Sequence, residues 1–348
     1  MKAHVLEEIG KIQYREVERP ILKDGEALVH VRAAGICGSD IPRIYETGTY
    51  HFPTIPGHEF AGEVVEVFDS KYDEWIGKRV GVFPLIPCKE CSACSKQQYE
   101  MCRNYNYLGS RCDGGFAEFT AVPIWNLLEL PANVAYESAA MFEPAAVALH
   151  AVRRLDLYNV KSVALLGLGT IGNIIAQWLN IFGIKTVYAT CHREEHGELM
   201  KKNASSDYQY INSKDSDVCE WIIKETENQG VDVVIDCVGS SSSFSEAIKV
   251  VSEGGQILLV GNPKSDLVFM KDVYWKILRK QISVIGTWNS HFIHSEEDDW
   301  HLVMKKCQEG TLRLEELITH KYSFCDLKQG LELIKNGTDY HNKVMIVR

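Results

Sequence analysis

A glycine-rich turn between two apolar segments constrains the fold of this chain more than any other feature. The run G-L-G-T-I-G (167–172) directly follows a strand candidate, S-V-A-L-L-G (162–167), and opens a segment with apolar residues at steps of three and four. Glycines at such places permit a tight turn and close approach of a pyrophosphate, which the N-terminus of the following helix binds. This order of strand, turn and helix predicts a dinucleotide-binding site.

The chain beyond this turn alternates between strand and helix patterns, which is typical of a parallel sheet covered on both faces. The apolar strand candidates are 162–167, 186–190, 231–239, 254–261 and 282–287. The first predicted helix ends at Gly183, and its residues Ile171, Ile174, Ile175, Trp178, Leu179 and Phe182 are expected to form one buried stripe.

The residues before about 150 have a different pattern. Short β-like runs at 26–35, 62–68 and 77–83 are broken by glycine and proline, which predicts a compact, mostly antiparallel β unit. The last part of the chain loses the alternation and is expected to rejoin this unit. A length of 348 residues is enough for about two domains.

Charge and cysteine content limit the partners and the location. A net charge of −10 argues against a nucleic-acid partner and against docking on an anionic membrane. The N-terminal residues contain no long apolar run, so no signal peptide is expected. Eleven cysteines in such a chain indicate a reducing compartment, and the expected location is cytoplasmic.

A cluster of cysteines predicts a structural metal site. Cys88, Cys91, Cys94 and Cys102 follow the spacing C-x2-C-x2-C-x7-C, and closely spaced thiolates can converge on one tetrahedral zinc ion. An iron-sulfur cluster is the alternative, although Arg103 stands where ferredoxin-like runs often carry proline. Unligated thiols are the third possibility. A closed four-thiolate site would stabilise a lobe with little core of its own.

A second set of metal-ligating residue types is dispersed along the first 150 residues. Its members are Cys37 in G-I-C-G-S-D, His58 and Glu59 in P-G-H-E-F, and Glu143 in F-E-P. Each residue taken singly is more typical of an ordinary structural role, such as a buried thiol, a surface turn or a helix cap. A catalytic zinc site needs few protein ligands and one exchangeable position.

The order and separation of these motifs resemble those of the zinc-dependent medium-chain alcohol and polyol dehydrogenases across essentially the whole chain. Within that family, the segments C-G-S-D-I-P-R, Y-N-Y-L-G-S-R-C-D-G-G-F-A-E-F and I-G-T-W are most similar to enzymes that act on polyol phosphates. The resemblance implies an α/β fold. It would combine a β-rich, chaperonin-10-like catalytic domain (1–150 and 287–348) with a doubly wound Rossmann domain (151–286).

The resemblance also implies two zinc ions per chain and the roles of several residues. Cys37, His58 and Glu143 would bind the catalytic zinc, with Glu59 as an alternate ligand or a partner of the ligands. Simple alcohol dehydrogenases carry a second cysteine in place of Glu143, and the glutamate points to polyol substrates. Ser39, Glu59 and Glu143 would take part in proton removal.

Substrate contacts are implied by the resemblance at Arg43, Arg111, Lys280, Trp288 and Asn289. Simple polyol dehydrogenases of the family carry a tyrosine near the position of Arg43. An arginine there suits a phosphorylated substrate, because guanidinium groups bind phosphate through paired hydrogen bonds. A surface role for Arg43 is an equal alternative.

The end of the second Rossmann strand bears on the choice of dinucleotide. The residues expected to contact the dinucleotide are Gly167, Gly169, Thr170, Ile171, Gly172, Cys191, His192 and Arg193. NAD enzymes usually place an acidic residue where Cys191 stands, whereas an arginine nearby accepts the 2′-phosphate of NADP. Arg193 therefore favours NADP(H) or dual use, while Glu194 and Glu195 leave NAD(H) open.

The leading hypothesis is a zinc-dependent oxidoreductase that transfers a hydride between a nicotinamide cofactor and a secondary hydroxyl of a sugar-alcohol phosphate. Galactitol 1-phosphate and pentitol phosphates are the expected type of substrate, with a ketose phosphate as product. Unphosphorylated polyols of the sorbitol type and L-threonine are alternative substrates. A non-catalytic, nucleotide-binding redox sensor is the alternative from another class. The resemblance further implies a homodimer or homotetramer.

Overall fold

The computed structural model describes every residue from Met1 to Arg348. Its internal contacts divide the chain into two compact units. Unit 1 comprises Met1–Ala146 and Ser290–Arg348, and unit 2 comprises Val147–Asn289. Each unit has a buried apolar core of its own. None of the helices combines the length and the apolar character needed to span a membrane.

The segment up to about residue 150 is built mainly from short strands. These are β1 (Lys2–Glu8), β2 (Lys11–Glu16), β3 (Glu26–Ile36), β4 (Glu59–Val67), β5 (Arg79–Val82), β6 (Leu85–Ile86), β7 (Asn106–Tyr107), β8 (Phe119–Pro123) and β9 (Leu127–Glu129). Its helices are α1 (Asp40–Pro42), which continues as a π turn over Arg43–Thr47, α2 (Tyr136–Ala140) and α3 (Phe142–Arg153).

Unit 2 alternates between strands and helices. The strands are β10 (Ser162–Leu166), β11 (Thr186–Cys191), β12 (Gln209–Asn212), β13 (Val231–Asp236), β14 (Val251–Leu259) and β15 (Ser283–Gly286). The helices are α4 (Thr170–Ile181), α5 (Glu194–Asn203), α6 (Val218–Glu225), α7 (Ser241–Val250) and α8 (Lys271–Lys280). The chain then returns to unit 1 through α9 (Asp299–Gln308), β16 (Ile318–Ser323), α10 (Leu327–Asn336) and β17 (Lys343–Val347).

The main sheet of unit 1 draws on both ends of the chain. Its strand order is β16-β17-β3-β4-β5-β9, with β8 also paired to β3. The pairs are antiparallel except β16 with β17, as the sequence predicted for a mostly antiparallel unit. Because β17 pairs with β3, the C-terminal residues lie beside the strand that leads to Cys37.

Unit 2 contains one parallel sheet with the order β12-β11-β10-β13-β14-β15. The crossover at β10 places Leu166 beside both Thr190 of β11 and Asp236 of β13, so the carboxyl ends of these strands meet at one edge. This is the doubly wound arrangement in which nucleotides bind at the switch point. The predicted fold class, a Rossmann sheet plus a β-rich domain, is confirmed.

Two local expectations need correction. Helix α4 does not bury one apolar stripe: every residue from Gly172 to Leu179 is buried, the polar Asn173 and Gln177 included, whereas Ile171 is only partly buried. Phe182 lies beyond the helix, which ends at Ile181, and its side chain is 41% exposed while it stacks on Trp178. The short edge strand β12 was not predicted, because its residues Q-Y-I-N are only partly buried and carry a weak apolar signal.

Candidate metal centre and dinucleotide site

The structure brings together Cys37, His58 and Glu59. Cys37 directly follows β3, and His58 and Glu59 stand at the start of β4, with Gly35 paired opposite Glu59 in the antiparallel register. Their possible ligand atoms all lie within 4.8 Å of one another. Thiolate, imidazole and carboxylate are all zinc ligands, and three protein ligands leave a further position open. The donor set therefore fits a catalytic zinc ion.

Asp40 supports two members of this group. Its fully buried carboxylate accepts a hydrogen bond from the Cys37 amide (3.0 Å), and it lies 3.5 Å from His58 Nδ1. Arg43 Nη1 donates at 2.7 Å to Oδ1, the carboxylate oxygen that also lies nearest His58 Nδ1, whereas the Cys37 amide donates to Oδ2. Burial alone would raise the pKa of Asp40, but the charges of His58 and Arg43 lower it. Metal-ligating histidines are commonly oriented by such a carboxylate.

Lys343 forms a buried ion pair with Glu59. Lys343 is the first residue of β17 and is 3% exposed, and the Glu59 carboxylate raises its pKa against the opposing effect of burial. Gly35 makes the approach possible, because a Cβ there would press on the Glu59 carboxylate and lie 2.8 Å from Lys343 Cε. The pair therefore spans β3, which lies between the strands that carry Glu59 and Lys343.

Glu143 stands beside this group and not within its tight cluster. Its carboxylate is 8% exposed and accepts a hydrogen bond from the Tyr107 hydroxyl at 3.0 Å. Burial and the neighbouring Glu59 charge raise the pKa of Glu143, against the opposing effect of His58. The Ser39 hydroxyl donates to Cys37 Sγ at 3.3 Å, so it lies next to one of the candidate ligands.

The four cysteines of the cluster converge as expected for one ion. Their sulfur atoms are separated by 3.4 Å (Cys88 and Cys102), 3.6 Å (Cys91 and Cys94), 3.9 Å (Cys88 and Cys94) and 4.0 Å (Cys91 and Cys102). Tetrahedral ligands at about 2.3 Å from zinc lie about 3.8 Å apart. The sulfurs of an iron-sulfur cluster stand farther apart, so the spacing favours zinc. No disulfide is formed.

The electrostatic surroundings of these thiols differ within the loop. Backbone amides of Arg103 and Cys94 lower the pKa of Cys91 to about 6, whereas burial raises the pKa of Cys94 to about 12. A thiol with a raised pKa, such as that of Cys94, becomes a thiolate near neutral pH only when a nearby cation stabilises its negative charge. A bound metal supplies that cation.

The glycine run of unit 2 forms a cradle at the sheet edge. Gly167 has a positive φ of 94°, and its amide donates to Thr190 Oγ1 at 3.1 Å. A Cβ on Gly172 would clash with the Gly167 carbonyl, whereas a Cβ on Gly169 would meet nothing within 4 Å. Gly169 is the N-cap residue of the 12-residue helix α4, whose first two residues are Thr170 and Ile171. The open space at this helix N-terminus fits a pyrophosphate.

The end of β11 carries no carboxylate, as the sequence shows. Cys191 is 3% exposed, and its thiol faces the Ile211 carbonyl at 3.6 Å inside the sheet, where burial raises its pKa to about 11. His192 is exposed, and Arg193 takes the N-cap position of α5 with extended backbone dihedrals.

The remaining substrate candidates divide between the units. In unit 1, Arg43 binds Asp40, and the Arg111 guanidinium lies between the rings of Tyr50 and Tyr105. In unit 2, the Lys280 ammonium donates to the backbone carbonyls of Lys249 and Val251, Trp288 is 53% exposed, and Asn289 has a left-handed φ of 57°. The contacts of Arg43 and Lys280 give both residues structural roles.

Three residues at the metal centre escaped the sequence reasoning. Asp40 lies inside the motif C-G-S-D and Tyr107 inside Y-N-Y-L-G, and neither motif by itself predicts the contact that its residue makes. Lys343 had no local signal at all, because its contact with Glu59 depends on the pairing of β17 with β3.

Comparison with protein families gives two matches that together span most of the chain. The model of the alcohol dehydrogenase GroES-like domain matches residues 23–132. The model of the zinc-binding dehydrogenase matches residues 170–309.

Individual proteins are similar over the full length. Galactitol 1-phosphate 5-dehydrogenase of Escherichia coli is 32% identical over 349 residues, with 100% of both chains covered. A crystal structure of galactitol-1-phosphate dehydrogenase from the same species, 31% identical, superimposes with a TM-score of 0.89 and covers 100% of both chains. L-threonine 3-dehydrogenase of Pyrococcus horikoshii is 31% identical over 328 residues, covering 92% of this chain and 91% of the other.

A further crystal structure contains a dinucleotide. It is a Sinorhizobium meliloti protein described as a zinc-binding dehydrogenase and solved with NADP. The two chains are 28% identical, the TM-score is 0.90, and the match covers 100% of this chain and 99% of the other.

Proposed function

This chain belongs to the zinc-binding alcohol dehydrogenase family with a GroES-like domain, and from that premise we propose that it interconverts a sugar-alcohol phosphate and a ketose phosphate. A hydride and a proton leave the secondary carbinol, and a ketone forms. Membership of the family confirms the predicted class of enzyme and leaves no support for a non-catalytic sensor. The observation that carries the proposal is the open group of Cys37, His58 and Glu59.

The residues of unit 1 have distinct tasks in this proposal. When bound, zinc supplies a Lewis acid for the alcohol oxygen, and the nicotinamide supplies the hydride acceptor. Cys37 and His58 would hold the metal, and Asp40 positions both of them through its contacts with the Cys37 amide and His58 Nδ1. Glu59 and Glu143 complete or flank the ligand set, restrained by Lys343 and Tyr107. Ser39 is proposed to begin the proton relay, because its hydroxyl lies beside Cys37. It would take up the proton of the alcohol as it releases its own toward Glu59 or Glu143, the further proposed members of the relay.

The choice of a phosphorylated polyol is supported by the similarity to galactitol 1-phosphate 5-dehydrogenase over the whole chain. L-threonine 3-dehydrogenase is similar to nearly the same degree, so L-threonine is the competing substrate, with sorbitol-type polyols as the third class. A panel of galactitol 1-phosphate, a pentitol phosphate, galactitol, sorbitol and L-threonine tests the proposal. We expect the highest kcat/KM with a phosphorylated polyol, and a higher value with galactitol, sorbitol or L-threonine would refute it.

We propose NADP(H), or use of both dinucleotides, because β11 ends without a carboxylate and Arg193 follows at the start of α5. The kcat/KM values for NADP and NAD should be compared in the wild type and in Arg193→Ala. The substitution should lower the value for NADP about 10-fold or more and change that for NAD little. An NADP preference that survives in Arg193→Ala would remove Arg193 from this role.

We further propose two zinc ions per chain, one held by the group around Cys37 and one by the four cysteines. Metal analysis of the purified protein should give about two zinc ions per chain. Cys94→Ser should lose about one of them, whereas Cys37→Ala should lose the other and abolish turnover. A wild-type content of about one zinc per chain, or of iron, would contradict the proposal.

A homo-oligomer is proposed from the edge of the unit 2 sheet. Strand β15 pairs only with β14, so its other edge is open. Val284 on this strand and Met270, Tyr274, Trp275 and Leu278 in and next to α8 are all more than 40% exposed. An open strand edge beside exposed apolar side chains is a surface that commonly pairs with its symmetric copy.

A further inference from the structure

Arg111 occupies an unusual setting for a cation in unit 1. Its guanidinium carbon lies 4.2 Å from the centre of the Tyr50 ring and 4.4 Å from that of Tyr105, so an aromatic ring stands close on two sides. Nη2 donates to the Tyr50 hydroxyl at 3.2 Å. Nε is shielded from solvent and has no hydrogen-bond partner. The protein thus satisfies the hydrogen-bonding capacity of this guanidinium only in part.

The other cations around the metal group are already neutralised. Arg43 is bound to the Asp40 carboxylate at 2.7 Å, and Lys343 is paired with Glu59. Arg111 has no carboxylate within ion-pair distance. The net charge of the chain is −10, so most of its surface repels anions. A guanidinium that is fixed by two aromatic rings and has no acidic partner would attract an anion to this one place.

The backbone ties Arg111 to the metal group through Tyr107. The Arg111 amide donates to the Tyr107 carbonyl at 2.9 Å, and the Tyr105 and Tyr107 rings are 6.2 Å apart. Tyr107 in turn lies 5.9 Å, ring to ring, from His58 and donates to Glu143. Arg111 is thus linked to the candidate metal ligands through Tyr107, whose backbone it contacts and whose ring lies beside His58.

The geometry points to Arg111, and not Arg43, as the residue that binds the phosphate of the substrate. This inference rests on the proposed function and names the residue that would confer its preference for phosphorylated polyols. The Tyr50 hydroxyl takes one N–H of Nη2, and Nε is shielded, which leaves the N–H groups of Nη1 and the second N–H of Nη2 as the donors for the ligand. Phosphate oxygens match that edge by paired, charge-assisted hydrogen bonds.

The test compares galactitol 1-phosphate with galactitol, which differ only in the phosphate. Arg111→Met should lower kcat/KM for galactitol 1-phosphate about 100-fold, mainly through KM, and should change that for galactitol less than about threefold. Arg111→Lys keeps the positive charge but loses the paired N–H donors of the guanidinium. Its kcat/KM for galactitol 1-phosphate should therefore lie between those of Arg111→Met and the wild type. An equal loss on both substrates, or no loss on the phosphate, would overturn the assignment.

Arg19→Gln is the matched control, because Arg19 also lies over one aromatic ring, that of Phe119, but is paired with Glu66. This variant loses the same charge and should stay within about twofold of the wild type on both substrates. Should Arg111→Met fail to fold, Tyr50→Leu removes one ring and the hydroxyl contact, and it should raise KM for the phosphate alone. Calorimetric titration of galactitol 1-phosphate into each folded protein, without dinucleotide, measures binding apart from turnover.

The wild-type panel separates this inference from the proposed function. If the wild type does not prefer galactitol 1-phosphate to galactitol, the proposed substrate class fails. If the wild type prefers the phosphate and Arg111→Met keeps that preference, the substrate class stands and the role of Arg111 fails. A loss confined to L-threonine would show that Arg111 binds a carboxylate, which also overturns the phosphate assignment.

Discussion

Lys343 and Glu59 are each at most 3% exposed, so either charge alone would be buried without compensation. Removing one partner of a buried ion pair typically costs about 3–5 kcal/mol, because the other charge stays behind. We therefore expect Lys343→Met to lower the free energy of unfolding by about this amount, measured by urea denaturation. The double variant Lys343→Met/Glu59→Gln should recover most of the loss.

The exposed pair of Lys11 and Glu8 provides the control for this residue-scale prediction, because its side chains are 53% and 69% exposed. Lys11→Met should change the free energy of unfolding by at most about 1 kcal/mol. If Lys343→Met and Lys11→Met lowered the free energy of unfolding equally, the burial of the ion pair between Lys343 and Glu59 would not account for its contribution to stability.

Among the individual elements, strand β1 contains a pH-sensitive contact between His4 and the Phe324 carbonyl. His4 is 3% exposed and its Nε2 lies 2.7 Å from the Phe324 carbonyl, and burial lowers its pKa to about 4 from an ordinary 6.5. Between those values the unfolded chain binds more protons than the folded one, so stability is complete above about pH 6.5 and falls toward pH 4. The loss attributable to His4 is about 3 kcal/mol.

The His4 prediction is checked by comparing the wild type with His4→Gln, which keeps a donor for Phe324 but does not titrate. Urea denaturation between pH 7.5 and 4.5 should show a steeper decline of the free energy of unfolding in the wild type. Parallel pH profiles of the two proteins would contradict the assignment.

The loop between β6 and β7 has few regular elements, only short 3-10 turns at Cys94–Lys96 and Tyr99–Met101. Its order therefore depends on the ion proposed for the four cysteines, since metal binding supplies folding free energy to such segments. Removal of zinc by a chelator should raise amide hydrogen exchange across residues 87–105 while strands β3 and β4 keep their protection. An unchanged loop after complete loss of the metal would refute this dependence.

At the scale of the whole molecule, the open edge of β15 predicts association of the chain with its own copies. Light scattering coupled to size exclusion should give a dimer or tetramer for the wild type. Val284→Lys places a charge on the exposed edge strand and should shift the protein toward the monomer, because edge lysines block strand pairing. The exposed Tyr158, outside this edge, offers the control Tyr158→Lys, which should leave the oligomer intact. A wild-type monomer would refute the proposed oligomer.

Local patterns in the sequence were enough to predict the glycine cradle, the parallel sheet and the loop of four cysteines. These features depend on residues close together in the chain, where periodicity and spacing report directly on strand, helix and metal geometry. The five predicted strands of unit 2 are all present with ends shifted by a few residues. The family resemblance connected Cys37, His58 and Glu143, with Glu59 as an alternate, whereas the structure groups Cys37 and His58 most tightly with Glu59.

Tertiary structure alone decided which charges stand beside that group and which are already neutralised. Lys343 meets Glu59 only because β17 pairs with β3. Arg43 is neutralised locally by Asp40, three residues before it in the chain. Arg111 lies between two aromatic rings contributed by different loops. A sequence names the residue types that can bind zinc, dinucleotide or phosphate, but whether a charge is free to bind depends on its partners. For Lys343 and Arg111, partners such as Glu59 and Tyr50 are brought close by strand pairing and loop packing between residues far apart in the chain.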